Sequence, residues 1–346
     1  MRRILLTVVG AALLAASCSS ESSGGSRTVT LMTHESFVMA KPLRQAFERS
    51  TGMKLRIVQA GDAGSLLNQA ILTKDHPIGD VLFGVDNTFL SRGLRHRVFE
   101  PFRAANLSAV PQALRPDDRH RVTPIDVSDV CINADRGWFE DHNLPVPVTL
   151  ADLAEPRYRD LLVVENPATS SPGLAFLAGT VAQFGNDWPD YWQRLRENGV
   201  TVVDGWEQAY NGEFTGAAGS TGSKPLVVSY ASSPPAEVFF ADPQPAVAPT
   251  TVLVETCFRQ IEFAGVLRNA KNPRGARLLV DFMLGSRFQE SLPLSMFVFP
   301  AVSDTPLPQV FSDHTTVPTA PLTISPHQIA RHRDEWITTW TDTVLG

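Results

Sequence analysis

Between residues 29 and 85 the chain reads strand, helix, strand, helix, strand, and this order leaves few folds open to it. Residues 29–32 form a short apolar run, and Leu43, Ala46 and Phe47 follow at helical spacing before Thr51-Gly52. Leu55 and Ile57 alternate as a second strand. Ser65 is placed to cap a helix whose apolar face is Leu66, Leu67, Ala70 and Ile71, and residues 80–85 are a third strand. Such alternation builds a parallel sheet, because a right-handed crossover returns each strand in the direction of the last. The strand ends, which carry His34, Asp62 and Asp86, are therefore expected along one edge of the sheet.

A second set of such units begins at residues 161–164 and continues through the short apolar runs 202–203 and 226–228. Two longer extended runs, 123–133 and 251–262, lie between the sets. The arrangement predicts an α/β fold with two hinged lobes, parallel or mixed sheets, and a ligand cleft between them. The boundaries read as 27–123 plus 258–297 for one lobe and 124–257 plus 298–346 for the other. Each crossing run carries one cysteine, Cys131 and Cys257. In an oxidising compartment an even pair favours a disulfide, with buried free thiols as the alternative. A bridge would staple the crossing strands at the hinge.

The compartment is indicated by the first 26 residues. Arg2-Arg3, an apolar run over 4–14, and Ala15-Ala16-Ser17-Cys18 are the parts of an export signal, followed by a Ser/Gly tether. A lone cysteine after small residues is similar to a lipobox, with Cys18 as the lipidated residue. The body is then expected outside the cytoplasm, anchored by lipid, and monomeric. A net charge of −6 and a pI near 5.8 argue against nucleic-acid binding.

The stretch 202–237 holds the densest group of candidate ligand contacts. Trp206 and Tyr210 follow one short strand, and Ser229, Tyr230, Ser232 and Ser233 follow the next. Ligands of open α/β sheets lie outside the carboxyl ends of strands, so these side chains either line a cleft or cap the core. The Gly/Ser-rich spacer 212–224 between them reads as a mobile surface loop. The run 165–173, with Ser170 and Ser171 before a helix from Leu174, either caps that helix or offers hydroxyls and N–H groups to a ligand. Trp188, Tyr191 and Trp192 fall at helical spacing and read as core. Residues 292–300 read as an extended apolar segment, and Ser325 opens a closing helix.

Signatures of catalysis are sparse. There is no Gly-x-Ser-x-Gly, His-Glu-x-x-His, Cys-x-x-Cys or phosphate-cradling loop, and seven of the eight histidines fall in polar or turn-like surroundings. The expectation is a binding protein with no metal, no cofactor and no enzymatic activity. Aromatic rings with one or two carboxylates suit a flat or quaternary cation through cation–π attraction.

The runs Thr33-His34-Glu35-Ser36-Phe37, Asp80-Val81-Leu82-Phe83-Gly84-Val85-Asp86-Asn87, Thr169-Ser170-Ser171-Pro172-Gly173, Ser229-Tyr230-Ala231-Ser232-Ser233-Pro234 and Trp336-Ile337-Thr338-Thr339-Trp340 resemble, in order, the thiamine-binding periplasmic proteins. The resemblance implies a two-lobed, type II-like binding-protein fold that closes on its ligand. It further implies delivery of thiamine, or its phosphate esters, to the permease of an ABC importer. By position it makes Trp206 and Tyr230 the ring-stacking walls, with Tyr210 nearby. Asp62 becomes the carboxylate near the aminopyrimidine, and Ser170 or Ser171 the partner of the hydroxyl or phosphate. His34 stands where the family pattern has Tyr, and Phe297 where it has Trp. The rival readings are the same fold with a polyamine or other heterocyclic cation, and a secreted hydrolase with a dispersed Ser/His/Asp set. A polyamine site would need several carboxylates along a slot, which the sequence does not make visible.

Overall fold

A computed structural model describes residues 27–346; the export segment and Cys18 lie outside the described residues. The strands are β1 (Thr28–Thr33), β2 (Lys54–Gln59), β3 (Val81–Asp86), β4 (Thr123–Asp135), β5 (Leu162–Glu165), β6 (Thr201–Val203), β7 (Leu226–Tyr230), β8 (Thr250–Val266) and β9 (Phe299–Pro300). The helices of the first half are α1 (Lys41–Thr51), α2 (Ala63–Leu72), α3 (Leu90–Arg95), α4 (Arg136–Asp141), α5 (Ser171–Phe184) and α6 (Trp188–Glu197). Those of the second half are α7 (Pro234–Phe239), α8 (Pro273–Met283), α9 (Ser286–Gln289), α10 (Leu292–Ser295), α11 (Gln309–His314) and α12 (Pro326–Val344). No helix among the described residues is long and apolar enough to cross a membrane.

The strands join in one sheet of order β2-β1-β3-β8-β4-β7-β5-β6, with β9 beside β4. Strands β1 to β3 run parallel, as do β5 to β7, while β4 and β8 are antiparallel to each other and to their outer neighbours. The long β4–β8 ladder runs from Thr123 opposite Ala264 to Asp135 opposite Thr250. One lobe hangs on each of its ends. β3 pairs with the far end of β8, from Val81 opposite Val266 to Asp86 opposite Glu262. β7 pairs with the other end of β4, from Leu226 opposite Ala134 to Tyr230 opposite Val130. The registers make β3 and β7 run towards each other, so their carboxyl ends converge on the middle of the ladder. That convergence creates a cleft where strand ends meet from both sides.

Burial explains why the units form. β3 and β5 are buried along their whole length, as parallel strands covered on both faces must be. One core packs α8 residues Leu279, Val280 and Met283 against Val29, Leu31 and Phe83. A larger one runs beneath both lobes, from Leu66 and Phe89 to Phe176, Trp192 and Trp340. α12 lies on α6, where the Trp192 and Trp340 rings meet edge to face at 5.5 Å. It also reaches α3: Arg333 is buried over the Phe89 ring, and Asp334 accepts from Arg95 at 3.0 Å.

Four local readings change. α2 starts at Ala63 with Asp62 as its cap, because the Asp62 carboxylate accepts from Ala63 N–H and leaves Ser65 inside the first turn. α5 starts at Ser171, three residues earlier than the apolar pattern suggested, since Pro172 suits a first turn and Ser170 accepts from Gly173 N–H. Residues 292–300 are not extended throughout: Pro293 opens the short α10, and Phe297 then adopts φ 53°. The 212–224 spacer is closed on itself by Lys224 N–H to Glu213 O and Thr215 N–H to Lys224 O, with Phe214 fully buried.

Cys131 and Cys257 form a disulfide in the middle of the ladder. There, between the pairs Val130–Phe258 and Ile132–Leu253, Cys131 alone faces residues 254–257. Thr256 Oγ1 accepts from Ile132 N–H and replaces the lost ladder bond. The bridge ties residues 126 positions apart in sequence, so it removes a large loop from the unfolded ensemble. Replacing both cysteines by serine should lower unfolding free energy by about 2–5 kcal/mol in denaturant titrations; an unchanged midpoint would show that the bridge adds nothing.

Candidate functional site

The cleft encloses about 320 Å³. His34, Ser36 and Val38 come from the end of β1, and Asp62 from the start of α2. Asp126, Gln260 and Glu262 rise from the middle of β4 and β8 as its floor. The other lobe supplies Ser171 and Pro172, the Trp206–Asn211 segment, Tyr230, Ser233, Ala236, Glu237 and Phe240, and the 295–298 turn closes the rim.

Asp62 is the electrostatic centre of this geometry. Its carboxylate accepts from Ala63 N–H at 2.6 Å, Ser171 N–H at 3.4 Å and Trp206 N–H at 3.1 Å. Those donors include the first turns of α2 and α5, where unpaired N–H groups favour an anion. The chain thus fills its own anion hole, with a side chain of one lobe and donors from both. Burial pushes the Asp62 carboxyl up while these hydrogen bonds oppose that shift.

The aromatic wall differs from the expected pairing. A π-helical turn over Gln208–Glu213 places Tyr210 under Trp206, with ring centroids 5.0 Å apart and planes 18° apart. Tyr230 is 6.3 Å from Trp206 and inclined at 50°, so the two form a wedge and not a parallel slot. Trp206 Nε1–H donates to Ser229 Oγ at 2.9 Å, and Tyr210 OH donates to Glu237 Oε1 at 2.9 Å. Both bonds fix ring orientation. Phe297 sits at the rim against Phe240, with centroids 5.7 Å apart.

Of the expected residues, His34, Asp62, Ser171, Trp206, Tyr210, Tyr230 and Phe297 line the cleft. Asp86, Ser170 and Ser232 do not. Asp86 is wholly buried, accepting from Thr88, Phe89, Ser171 and Gln260, so it braces the floor from below. Ser170 is a buried helix cap, and Ser232 pairs with Ser128 at 3.0 Å. Ser171 reaches the surface of the cavity, but its hydroxyl is donated to Asp86 at 2.7 Å.

Sequence reading missed Asp126, Glu207, Glu237, Gln260, Glu262, Phe240 and Met296, all on the lining. Asp126 and Glu262 stand in crossing strands that also carry Asp129, Glu255, Arg259 and Gln260, so no residue pattern marks them out in the sequence. The spacer also contributes after all, since Ala218 lines the cavity and donates its N–H to Glu237 Oε2 at 2.8 Å. Among the described residues five carboxyls, from Asp62, Asp126, Glu207, Glu237 and Glu262, therefore surround the space, and no Lys or Arg lines it. That overturns the expectation that a polyamine-like array of carboxylates is missing.

A model of the family described as bacterial extracellular solute-binding protein matches residues 76–320. The chain belongs to that family. Its relatives include a thiamine-binding periplasmic protein of Brucella suis, 29% identical over 90% of this chain and 91% of that one. Another, from Salmonella typhimurium, is 28% identical over 90% of this chain and 92% of that one. A solved periplasmic thiamin binding protein superposes with a TM-score of 0.81 at 26% identity, covering 92% of this chain and 96% of that one. The fold is that of the two-lobed periplasmic binding proteins, which are non-enzymatic carriers.

Burial holds the His34 imidazole down to about 4, against a smaller opposing pull from Glu207. Its ring is therefore neutral at physiological pH. Because the unfolded chain takes up this proton near pH 6.5 and the folded chain only near 4, His34 costs stability as pH falls through that window, up to about 3 kcal/mol. The His34 ring resonances should stay constant in NMR titrations from pH 8 to pH 5.5; a midpoint near 6.5 would contradict the burial seen here.

Proposed function

We propose that this chain is the extracytoplasmic solute-binding lipoprotein of an ABC importer, anchored through Cys18, monomeric, and carrying thiamine to the membrane permease. The observation that carries the reading is the cleft's composition: Trp206, Tyr210, Tyr230 and Phe297 with five carboxyls and no Lys or Arg. A flat, permanently cationic heterocycle satisfies both sets at once, by ring stacking and by charge. The relatives named as thiamine-binding support the same choice. A neutral His34 replaces the familiar tyrosine without repelling the cation. In this reading the bodies 27–123 plus 258–297 and 124–257 plus 298–346 rotate about the middle of β4 and β8, and closure is the signal read by the permease.

The free vitamin suits the site better than its phosphate esters. Asp62 already occupies the N–H groups that a phosphate would seek. A second reading, a linear polyamine, draws on the five carboxyls. Calorimetric titration of ligand-stripped protein decides among the three: thiamine should bind with the highest affinity, thiamine diphosphate at least about tenfold more weakly, and spermidine without saturation. Equal affinity for the diphosphate would show that Asp62 gives way to phosphate, and tight spermidine binding would replace the vitamin reading. Trp206→Ala should weaken thiamine binding by about 1–3 kcal/mol, by analogy with base stacking on aromatics; unchanged affinity would remove Trp206 from the site.

A further inference from the structure

Aromatic stacking and Asp62 leave one part of the cleft without a task. Asp126 and Glu262 are directly opposite residues of β4 and β8, 2% and 9% exposed, and both line the cavity floor. Among the described residues no Lys or Arg is paired with either. From β1, His34 Nε2 lies 3.6 Å from Glu262 Oε1, but its ring is neutral. From α2 comes Asp62, and from β3 Asp86, both acidic. From β7 comes Tyr230, whose hydroxyl burial keeps protonated. From β8, Gln260 spends its amide on Asp86 and Ser171, while Arg259 is paired with Asp129. Glu207 lies across the cleft, acting on His34. Asp126 Oδ2 and His34 Nε2 are buried with no hydrogen-bond partner, both at the cavity.

Two facing carboxyls in such surroundings cannot both ionise, so they hold a proton in common. Burial raises Asp126 to about 7 and, together with the Asp126 charge, lifts Glu262 well above the usual carboxylate range. The free protein therefore enters neutral solution with that proton in place.

We propose that the Asp126–Glu262 pair is a cation-sensing subsite that exchanges its shared proton for the positive charge of the ligand. The pair loses one proton to solvent as one monocation enters, so the charge of the floor is conserved and no bond other than O–H is broken. The proposal rests on the reading of the cleft as a receptor for a thiamine-like cation and specifies how that charge is recognised. It makes transport cargo selection pH-dependent: a neutral ring of the same shape leaves the proton where it is and gains no charge pairing. The sign follows from linkage. Where the free pair is protonated and the complex is not, affinity rises with pH, up to tenfold per unit for one proton.

The test is calorimetric titration of the full-length protein with thiamine, at pH 6 and pH 7, in phosphate and in Bis-Tris. Wild type should release close to one proton per thiamine, seen as a difference in heat between the two buffers, and its Kd should fall up to tenfold between pH 6 and pH 7. Asp126→Asn should bind with buffer-independent heat and a nearly flat pH profile; Glu262→Gln serves if that variant does not fold. Thiamine binding with buffer-independent heat in wild type, or proton release that survives in the variants, overturns the subsite. Absence of any thiamine heat overturns the vitamin reading instead. Infrared difference titration of the unliganded wild type against Asp126→Asn then isolates the pair: a protonated carboxyl signal that changes around pH 7 in wild type and is missing from the variant is expected, and identical spectra at pH 6 overturn the proposal.

Discussion

The antiparallel ladder between β4 and β8 is the constraint on which the molecule depends. Each strand is long enough to serve two lobes, and every other strand reaches the sheet through one of its ends. Because β3 and β7 approach from opposite ends, their carboxyl termini meet over the ladder's centre. The residues that line the floor there need no loop excursion: Asp126, Gln260 and Glu262 are strand residues of the β4–β8 ladder. The floor of the cleft is thus as rigid as the sheet, while its walls ride on helix starts and turns that belong to one lobe or the other.

Much of this architecture was legible in residue order. The βαβ alternation, the two crossing runs and the cysteine on each follow from apolar periodicity, which reports burial directly. Seven of the ten expected ligand contacts lie on the lining because strand ends and aromatic residues are both visible in a linear text. The misses have physical causes. Asp86, Ser170 and Ser232 look like site residues because they are polar beside apolar runs, yet their partners are other buried polar groups, brought together only by the fold. Asp126 and Glu262 were hidden for the opposite reason. They sit in strands that carry other charged residues, and only the register shows the two carboxyls facing each other. A π-helical turn, which no simple spacing predicts, stacks Tyr210 on Trp206.

Charge ties floor and walls into one argument. Asp62 is satisfied by N–H donors from both sides, whereas Asp126 keeps a buried Oδ2 without a hydrogen-bond partner beside the facing Glu262. The first arrangement stabilises the closed cleft in itself. The second leaves an electrostatic deficit that only a cation, or a proton standing in for one, can offset. Under the proposed function, such a division would separate two tasks that a single carboxylate would have to combine: bringing the lobes together, and asking what has been enclosed.

The C-terminal helix adds a mechanical boundary to that picture. α12 is seated on α6 through Trp340 and reaches α3 through Arg333 and Asp334. It therefore straddles the side of the molecule where the larger core is continuous. Any displacement of α3 away from α6 therefore has to lift Arg333 off the Phe89 ring or part Trp340 from Trp192, so one helix near the end of the chain couples two elements that are distant in sequence.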